Sequence, residues 1–142
     1  MRVSRPDPYD AKRPEHDMKP NPDPRAIETF LPLQPYEFQA LMVLSEEERH
    51  GYGIRRATLE RTGGKLRLDP GVLYRTLRRL QEAGLIAESD KRPAADLDDQ
   101  RRRYYGLTEL GRRVAAAEAE RLEDLIGMAR EGDLLKGRSN AS

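Results

Sequence analysis

One segment constrains the fold more than any other: residues 69–84, DPGVLYRTLRRLQEAG, in which both ends of a helix are specified. Asp69 is a preferred N-cap residue, and Pro70 suits the first helical position because its missing N–H would be unpaired there. Gly84 suits the left-handed residue that stops a helix. The segment therefore predicts a helix with defined termini.

The two faces of this helix differ sharply in character. At about 100° per residue, Leu73, Leu77 and Leu80 fall on one side. The opposite side carries the charged residues Arg75, Arg78, Arg79 and Glu82. Such a helix packs on a small core and presents guanidinium groups to an anionic partner.

The segments after this helix predict a β-hairpin followed by another helix. The stretch LIAESD predicts a short strand, a charged loop (KRPAADLDDQR) follows, and RRYYGL predicts the returning strand. In that strand Tyr105 and Leu107 are expected in the core, and base stacking by the tyrosine pair is the alternative. Helix, hairpin and helix in this order indicate a winged helix-turn-helix, with the basic helix in the position of the recognition helix. Leu66–Leu68 alternates apolar and basic residues and predicts a further short strand that closes the sheet.

Two helices are predicted before the basic one. The first runs from Pro35 to about Ser45, and Phe38, Leu41, Met42 and Leu44 supply its core side. The second starts in HGYGIRRATLERTGG, where Ile54, Ala57 and Thr58 face inward and Gly63-Gly64 ends the helix. Arg55, Arg56 and Arg61 are expected on its surface, either solvated or in contact with phosphates. His50 is interpreted as structural rather than as a metal ligand.

The terminal helix is predicted from Thr108, a suitable N-cap, to about Glu131. At about 1.5 Å per residue it extends over roughly 30 Å, which is more than a domain of this size can cover. Its apolar stripe therefore needs a partner, and the same helix of a second copy is the simplest one. Folding back on its own domain is the alternative. The predicted dimer residues are Ala115, Ala119, Leu122, Leu125, Ile126 and Ala129.

The charge of the chain is distributed unevenly, although the net charge is only +1. Nine Lys and Arg residues stand against two acids between Arg49 and Arg79. A local basic field of this kind favours binding to a polyanion. Around the wing, Arg101–Arg103 are placed to meet phosphates, and a solvated basic run is the alternative.

A length of 142 residues suggests one domain with appendages. Residues 1–31 hold six of the ten prolines and balanced charge, so we expect a disordered N-terminal extension; an arm reaching along DNA is the less favoured interpretation. Residues 32–107 are assigned to the winged helix-turn-helix, 108–135 to the dimerisation helix, and 136–142 to a frayed tail.

Several functional classes lack their sequence signals. The sequence has no cysteine, and it shows neither the spacing of metal ligands nor a P-loop or nucleophile-elbow pattern. We therefore expect that the protein is not an enzyme and that it binds no metal ion or cofactor. No apolar run approaches about 18 residues, which predicts a cytoplasmic protein without membrane contact. A winged helix used only for protein–protein contact is the alternative function, but the exposed arginines argue against it.

Three motifs together resemble the PadR family of bacterial transcription regulators. They are HGYGI (50–54), GVLYRTLRRLQEAGLI (71–86) and RRYYGLTELGR (102–112). The single long terminal helix is similar to the shorter subgroup of the family. Two departures stand out: there is no tryptophan, which disfavours stacking of flat aromatic ligands at the dimer centre, and Gln34 replaces the usual threonine before the first helix.

The resemblance implies a homodimeric winged-helix repressor that binds a dyad-symmetric operator in double-stranded DNA and releases it on a small-molecule or stress signal. It implies a mainly α fold with a small antiparallel β-wing and a long C-terminal dimerisation helix. The start of the recognition helix would approach the major groove, Tyr74 and Arg75 would contact backbone or bases, and the wing would touch phosphates or the minor groove. The predicted DNA-binding residues are Pro70, Gly71, Val72, Tyr74, Arg75, Arg78, Arg79, Lys91, Arg92, Arg101 and Arg102.

Overall fold

The computed structural model describes residues 24–89 and 103–135. The helices are α1 (Pro24–Glu28), α2 (Pro35–Glu46), α3 (Gly51–Arg61), α4 (Pro70–Glu82) and α5 (Glu109–Glu131). The strands are β1 (Arg49–His50), β2 (Ile86–Glu88) and β3 (Tyr104–Leu107). This order of elements confirms the predicted fold class, mainly helical with a small antiparallel wing.

The three strands form one antiparallel sheet in the order β1-β3-β2. Arg49 pairs with Tyr105, and Ile86 pairs with Leu107. The prediction of a strand at Leu66–Leu68 was wrong, because residues 65–69 pair with no strand among the described residues. Leu68 is instead buried in the core at 1% exposure, so its apolar character serves packing rather than sheet formation.

The core lies where α2, α3, α4 and β3 meet, and α5 covers one side. Leu41 and Leu44 are buried as predicted, but Met42 was wrongly assigned to the core and is 36% exposed. Ala40 and Val43 are buried in its place. At about 100° per residue these two positions lie beside the buried leucines on one side of the helix, whereas position 42 falls on the opposite side.

The folded domain begins earlier than predicted. Residues 24–31 were assigned to a disordered extension, yet they contain α1 and a following turn. Ile27, Phe30 and Leu31 pack against the core, and Leu33 is buried. Four apolar side chains within seven residues bury enough surface to order this stretch despite the nearby prolines. The rest of the predicted extension, residues 1–23, lies outside the described residues, as does the predicted tail at 136–142.

Helix α5 begins as predicted, because the Thr108 hydroxyl accepts a hydrogen bond from the Gly111 N–H at 2.9 Å. Its first half is packed on the domain through Gly111, Val114 and Glu118. Its second half carries exposed apolar side chains, including Ile126 at 43%. Within the described part of the chain, no helix combines the length and apolar character needed to cross a lipid bilayer.

Candidate nucleic-acid interface

Helix α4 has the capped ends that the sequence predicts. The Asp69 carboxylate accepts a hydrogen bond from the Val72 N–H at 2.8 Å, and Pro70 opens the helix. Gly84 has a φ of 83°, the left-handed conformation that stops a helix without steric strain. The leucines at 73, 77 and 80 are each 1% exposed. These contacts hold the helix on the core with its basic side outward.

The three arginines on that outward side have different surroundings. Arg75 and Arg78 are exposed and form no ion pair within residues 24–89 and 103–135. Arg79, in contrast, donates through Nε to Oε2 of Glu37 on α2 at 2.8 Å. Two guanidinium groups are therefore available to an anion, and a third is held partly in place by α2.

The first turn of α4 combines exposed and packed residues. Pro70 and Gly71 are exposed, whereas Val72 and Tyr74 are half-buried and pack against the core. Tyr74 lies so close to Gly51 that a Cβ at position 51 would come within 2.7 Å of its hydroxyl oxygen. A side chain at position 51 would therefore have to displace the Tyr74 ring, and the glycine lets α3 and α4 pack closely without that shift.

His50 joins the sheet to α3 and is the structural residue that the sequence suggested. Its Nδ1 accepts a hydrogen bond from the Gly53 N–H at 2.9 Å, which caps the helix. The ring also meets the ring of Tyr104 edge-on, with centroids 5.3 Å apart. Histidine is an uncommon N-cap residue, so this particular contact could not be predicted from sequence preferences.

The basic residues of α3 do not behave as one surface. Arg56 is exposed as predicted. Arg55 was wrongly placed on the open surface: it is half-buried, and its Nε donates to the Leu68 carbonyl at 2.6 Å. Arg61 is exposed but forms an ion pair with Glu46. Arg55 thus fixes the loop that leads into α4, a role that only the folded structure reveals.

Only the base of the wing is described. A guanidinium nitrogen of Arg103 lies 3.4 Å from a carboxylate oxygen of Glu88. This ion pair connects the residue just before β3 with the end of β2. Tyr105 is 8% exposed and Leu107 packs against the core, as predicted. The predicted wing contacts Lys91, Arg92, Arg101 and Arg102 lie outside the described residues.

The residues predicted at a dimer interface fall into two groups on α5. Ala115 packs against the core of its own domain. Ala119, Leu125 and Ile126 are exposed, and Leu122 and Ala129 are half-buried. The stripe is thus packed on its own domain at Ala115 and at least partly open from Ala119 onward.

Between these groups lies a buried carboxylate that sequence reasoning missed. Glu118 is 2% exposed and accepts two hydrogen bonds of 2.8 Å from Arg121. The hydrogen bonds from Arg121 lower the pKa of Glu118 against the opposing effect of burial, assisted by the Arg121 charge and by the backbone N–H of Leu33. A Glu–Arg pair three residues apart is common on helix surfaces, so its burial was not evident from spacing.

The described residues contain no group of three or more His, Cys, Asp or Glu side chains arranged to hold a metal ion. The chemistry that the arrangement does support is electrostatic and hydrogen-bonding recognition by arginine side chains.

The sequence and the structure were compared with those of known proteins. Residues 40–117 match the family described as the transcriptional regulator PadR-like family. No curated protein matches the sequence. Among solved structures, a transcriptional regulator from Clostridium thermocellum has 20% identity and a TM-score of 0.57, with 78% of this chain and 97% of that chain covered.

Two further solved structures share the fold. A PadR-like transcription factor from Bacteroides fragilis has 21% identity and a TM-score of 0.56, with 67% of this chain and 86% of that chain covered. RosR from H. salinarum has 26% identity and a TM-score of 0.50, with 75% and 99% covered. The family match spans more than half of the sequence and includes α4 and the start of α5, so the chain belongs to the PadR-like family of transcriptional regulators.

Proposed function

We propose that the chain is a sequence-specific DNA-binding regulator that acts as a homodimer, with α4 as its recognition helix. The observation that carries the proposal is the outward side of α4. Arg75 and Arg78 are exposed and unpaired among the described residues, on a helix anchored from behind by three buried leucines. A rigid basic helix of this kind is suited to the major groove.

The exposed first turn of α4 supports the predicted orientation. Pro70 and Gly71 carry no bulky side chain, so the N-terminal end of the helix can approach base edges closely. Arg75 or Arg78 in bidentate contact with guanine would discriminate by about 1–3 kcal/mol per pair. Specificity is therefore assigned to these two arginines.

Further exposed cations support affinity rather than specificity. Arg56, Lys65 and Arg67 are exposed and have no ion pair within the described segments. They lie on α3 and on the loop that enters α4. Cations in contact with phosphates release counterions, so binding should weaken steeply as salt increases.

Dimerisation through α5 is supported by the open part of its apolar stripe. Leu125 and Ile126 are 44% and 43% exposed, and Met128 is 57% exposed. A two-fold axis near this face would place two recognition helices in successive major grooves, about 34 Å apart. A dyad-symmetric operator follows from that symmetry.

We further propose that the protein is a repressor and that a small-molecule or stress signal releases it from DNA. Because only differential affinity shifts an equilibrium, such an effector must prefer a dimer whose half-site spacing does not fit the operator.

Selection of duplexes from a random library by the full-length protein tests the proposal. We expect enrichment of a sequence with two inverted half-sites about one helical turn apart, and altered base preference at one position per half-site for Arg75→Ala. The absence of any enriched sequence would refute operator binding.

A further inference from the structure

A cleft of about 590 Å³ opens between the start of α2 and one side of α4. Gln34 and Tyr36 line it from the α2 side, and Arg75, Thr76 and Arg79 line it from the α4 side. The cleft therefore shares two arginines with the proposed recognition surface, but the residues opposite them belong to another helix and have no assigned role.

Glu37 organises the cationic side of the cleft. One carboxylate oxygen accepts the Gln34 N–H at 3.0 Å, and the other accepts Nε of Arg79 at 2.8 Å. The Glu37 side chain is only 12% exposed, whereas that of Arg79 is 54% exposed. Glu37 thus fixes the direction of the Arg79 side chain while the outer part of the guanidinium group stays accessible.

Thr76 lines the cleft beside the two arginines and is 1% exposed, so it belongs to the packed wall of the cleft rather than to the open surface. The polar side chains that an entering anion can reach are those of Arg75, Arg79 and Tyr36, the last of which is 39% exposed.

We propose that this cleft binds a phosphate group, with Arg79 as the direct contact, Arg75 adding to the positive field from one turn earlier on α4, and the Tyr36 hydroxyl offering a donor. The inference rests on the proposed function, because the favoured source of the phosphate is the DNA backbone beside the groove that α4 enters. The lining carries two arginines against one carboxylate that already accepts two hydrogen bonds, so an anion is favoured over a cation or a neutral ligand. Arg79 is then a phosphate contact, directed by Glu37, rather than a base-reading residue.

The test compares Arg79→Gln with Arg112→Gln, since both remove one exposed positive charge and Arg112 lies on α5 away from the cleft. Binding of full-length protein to one duplex of mixed sequence is measured by anisotropy at several salt concentrations. We expect Arg79→Gln to weaken binding about tenfold, as for loss of a charge-assisted hydrogen bond, and to reduce the salt slope by about one. Equal effects of the two variants would overturn the inference.

Two milder variants separate a phosphate contact from a general charge effect. Arg79→Lys keeps the charge, but one ammonium group cannot both contact Glu37 and present the outward-facing N–H donors of a guanidinium group. Relative to Arg79→Gln, we therefore expect the salt slope to return to the wild-type value and the affinity to return only in part. Tyr36→Phe removes only a hydroxyl at the rim and should weaken binding a few-fold with no change in base preference. Full recovery by lysine together with no effect of Tyr36→Phe would refute the cleft as the site.

Competition by inorganic phosphate, against potassium chloride at equal ionic strength, distinguishes the two sources. If Arg79→Gln weakens DNA binding and phosphate does not compete, the occupant is the DNA backbone. If phosphate competes with wild-type protein but not with Arg79→Gln, the cleft also accepts a free phosphate group. If wild-type protein binds no DNA at all, the proposed function fails. Normal DNA binding that is insensitive to Arg79→Gln would refute the cleft alone.

Discussion

The backbone of Gly111, in the first turn of α5, lies directly against the carbonyl group of Leu85. A methyl group at position 111 would overlap the Leu85 carbonyl oxygen and also approach Leu107 to 3.0 Å. The same carbonyl accepts the Thr108 N–H at 3.1 Å. The segment that follows α4, strand β3 and the start of α5 therefore meet at one tightly packed point.

Substitution of Gly111 by alanine should destabilise the protein, because the atom it meets belongs to the backbone and cannot rotate away. We expect a loss of about 3 kcal/mol in the free energy of unfolding, at the upper end for overpacking. Chemical denaturation of the purified variant measures it.

Gly127→Ala is the matched control, since it lies on the same helix and a Cβ there meets nothing within 4 Å. Alanine at that position should leave the stability unchanged or raise it by up to about 1 kcal/mol through helix propensity. Similar losses in both variants would contradict the close-packing argument.

Glu118 should make the stability depend on pH in the acid range. A carboxyl group with a lowered pKa in the folded state stabilises the fold above its unfolded pKa, and this contribution is lost as the pH falls through the folded value. Wild-type protein should therefore lose the Glu118 contribution progressively below about pH 4.5.

Glu118→Gln tests this dependence, with the exposed Glu120→Gln as its control. We expect Glu118→Gln to lower the free energy of unfolding near neutral pH by about 1.5–3 kcal/mol, the typical value of hydrogen bonds to a charged group. Its stability should also fall less steeply in acid. Identical pH profiles for wild type and Glu118→Gln would show that the burial of this carboxylate has no energetic consequence.

Local signals explain why much of the fold could be predicted from the sequence. Asp69, Gly84 and Thr108 act through contacts within a few residues, so residue type and spacing suffice to predict the helix ends. The sheet was harder: Arg49–His50 is too short to show alternation, and its pairing with Tyr104–Tyr105 depends on a partner more than fifty residues away. Leu66–Leu68 has the alternation but no partner among the described residues.

Arg78→Ala should weaken operator binding while leaving the oligomeric state unchanged. The side chain is exposed, and no residue in the described segments forms an ion pair with it, so its removal disturbs no internal contact. We expect a loss of about 1–3 kcal/mol in binding free energy if it contacts a base edge. Titration of the enriched duplex gives the affinity, and Arg112→Ala serves as the control for loss of one charge. Wild-type affinity for Arg78→Ala would remove Arg78 from the interface.

Ile126→Glu should dissociate the proposed dimer without unfolding the domain. The side chain is 43% exposed in the single chain, and a carboxylate there would be unpaired in an apolar interface. Sedimentation velocity should show a monomer, with helical content retained by circular dichroism. Ala116→Glu, at an exposed position outside the predicted stripe, should remain dimeric. A dimeric Ile126→Glu variant would place the interface elsewhere.

The candidate site was predictable in outline but not in its division of roles. Periodicity places Arg75, Arg78 and Arg79 on one side of a helix, and the structure confirms that placement. Periodicity alone does not reveal that Glu37, more than forty residues away, holds Arg79. Long-range ion pairs of this kind depend on how helices pack, which spacing within one segment cannot specify.

The central claim is that two copies of the chain use α4 to recognise a defined DNA sequence. The most direct measurement is fluorescence anisotropy with the enriched duplex and a scrambled duplex, titrated with full-length protein at several salt concentrations. We predict saturation at two protomers per enriched duplex, a steep salt dependence, and affinity at least about a thousandfold higher than for the scrambled duplex. Equal affinity for both duplexes, or saturation at one protomer, would contradict the account.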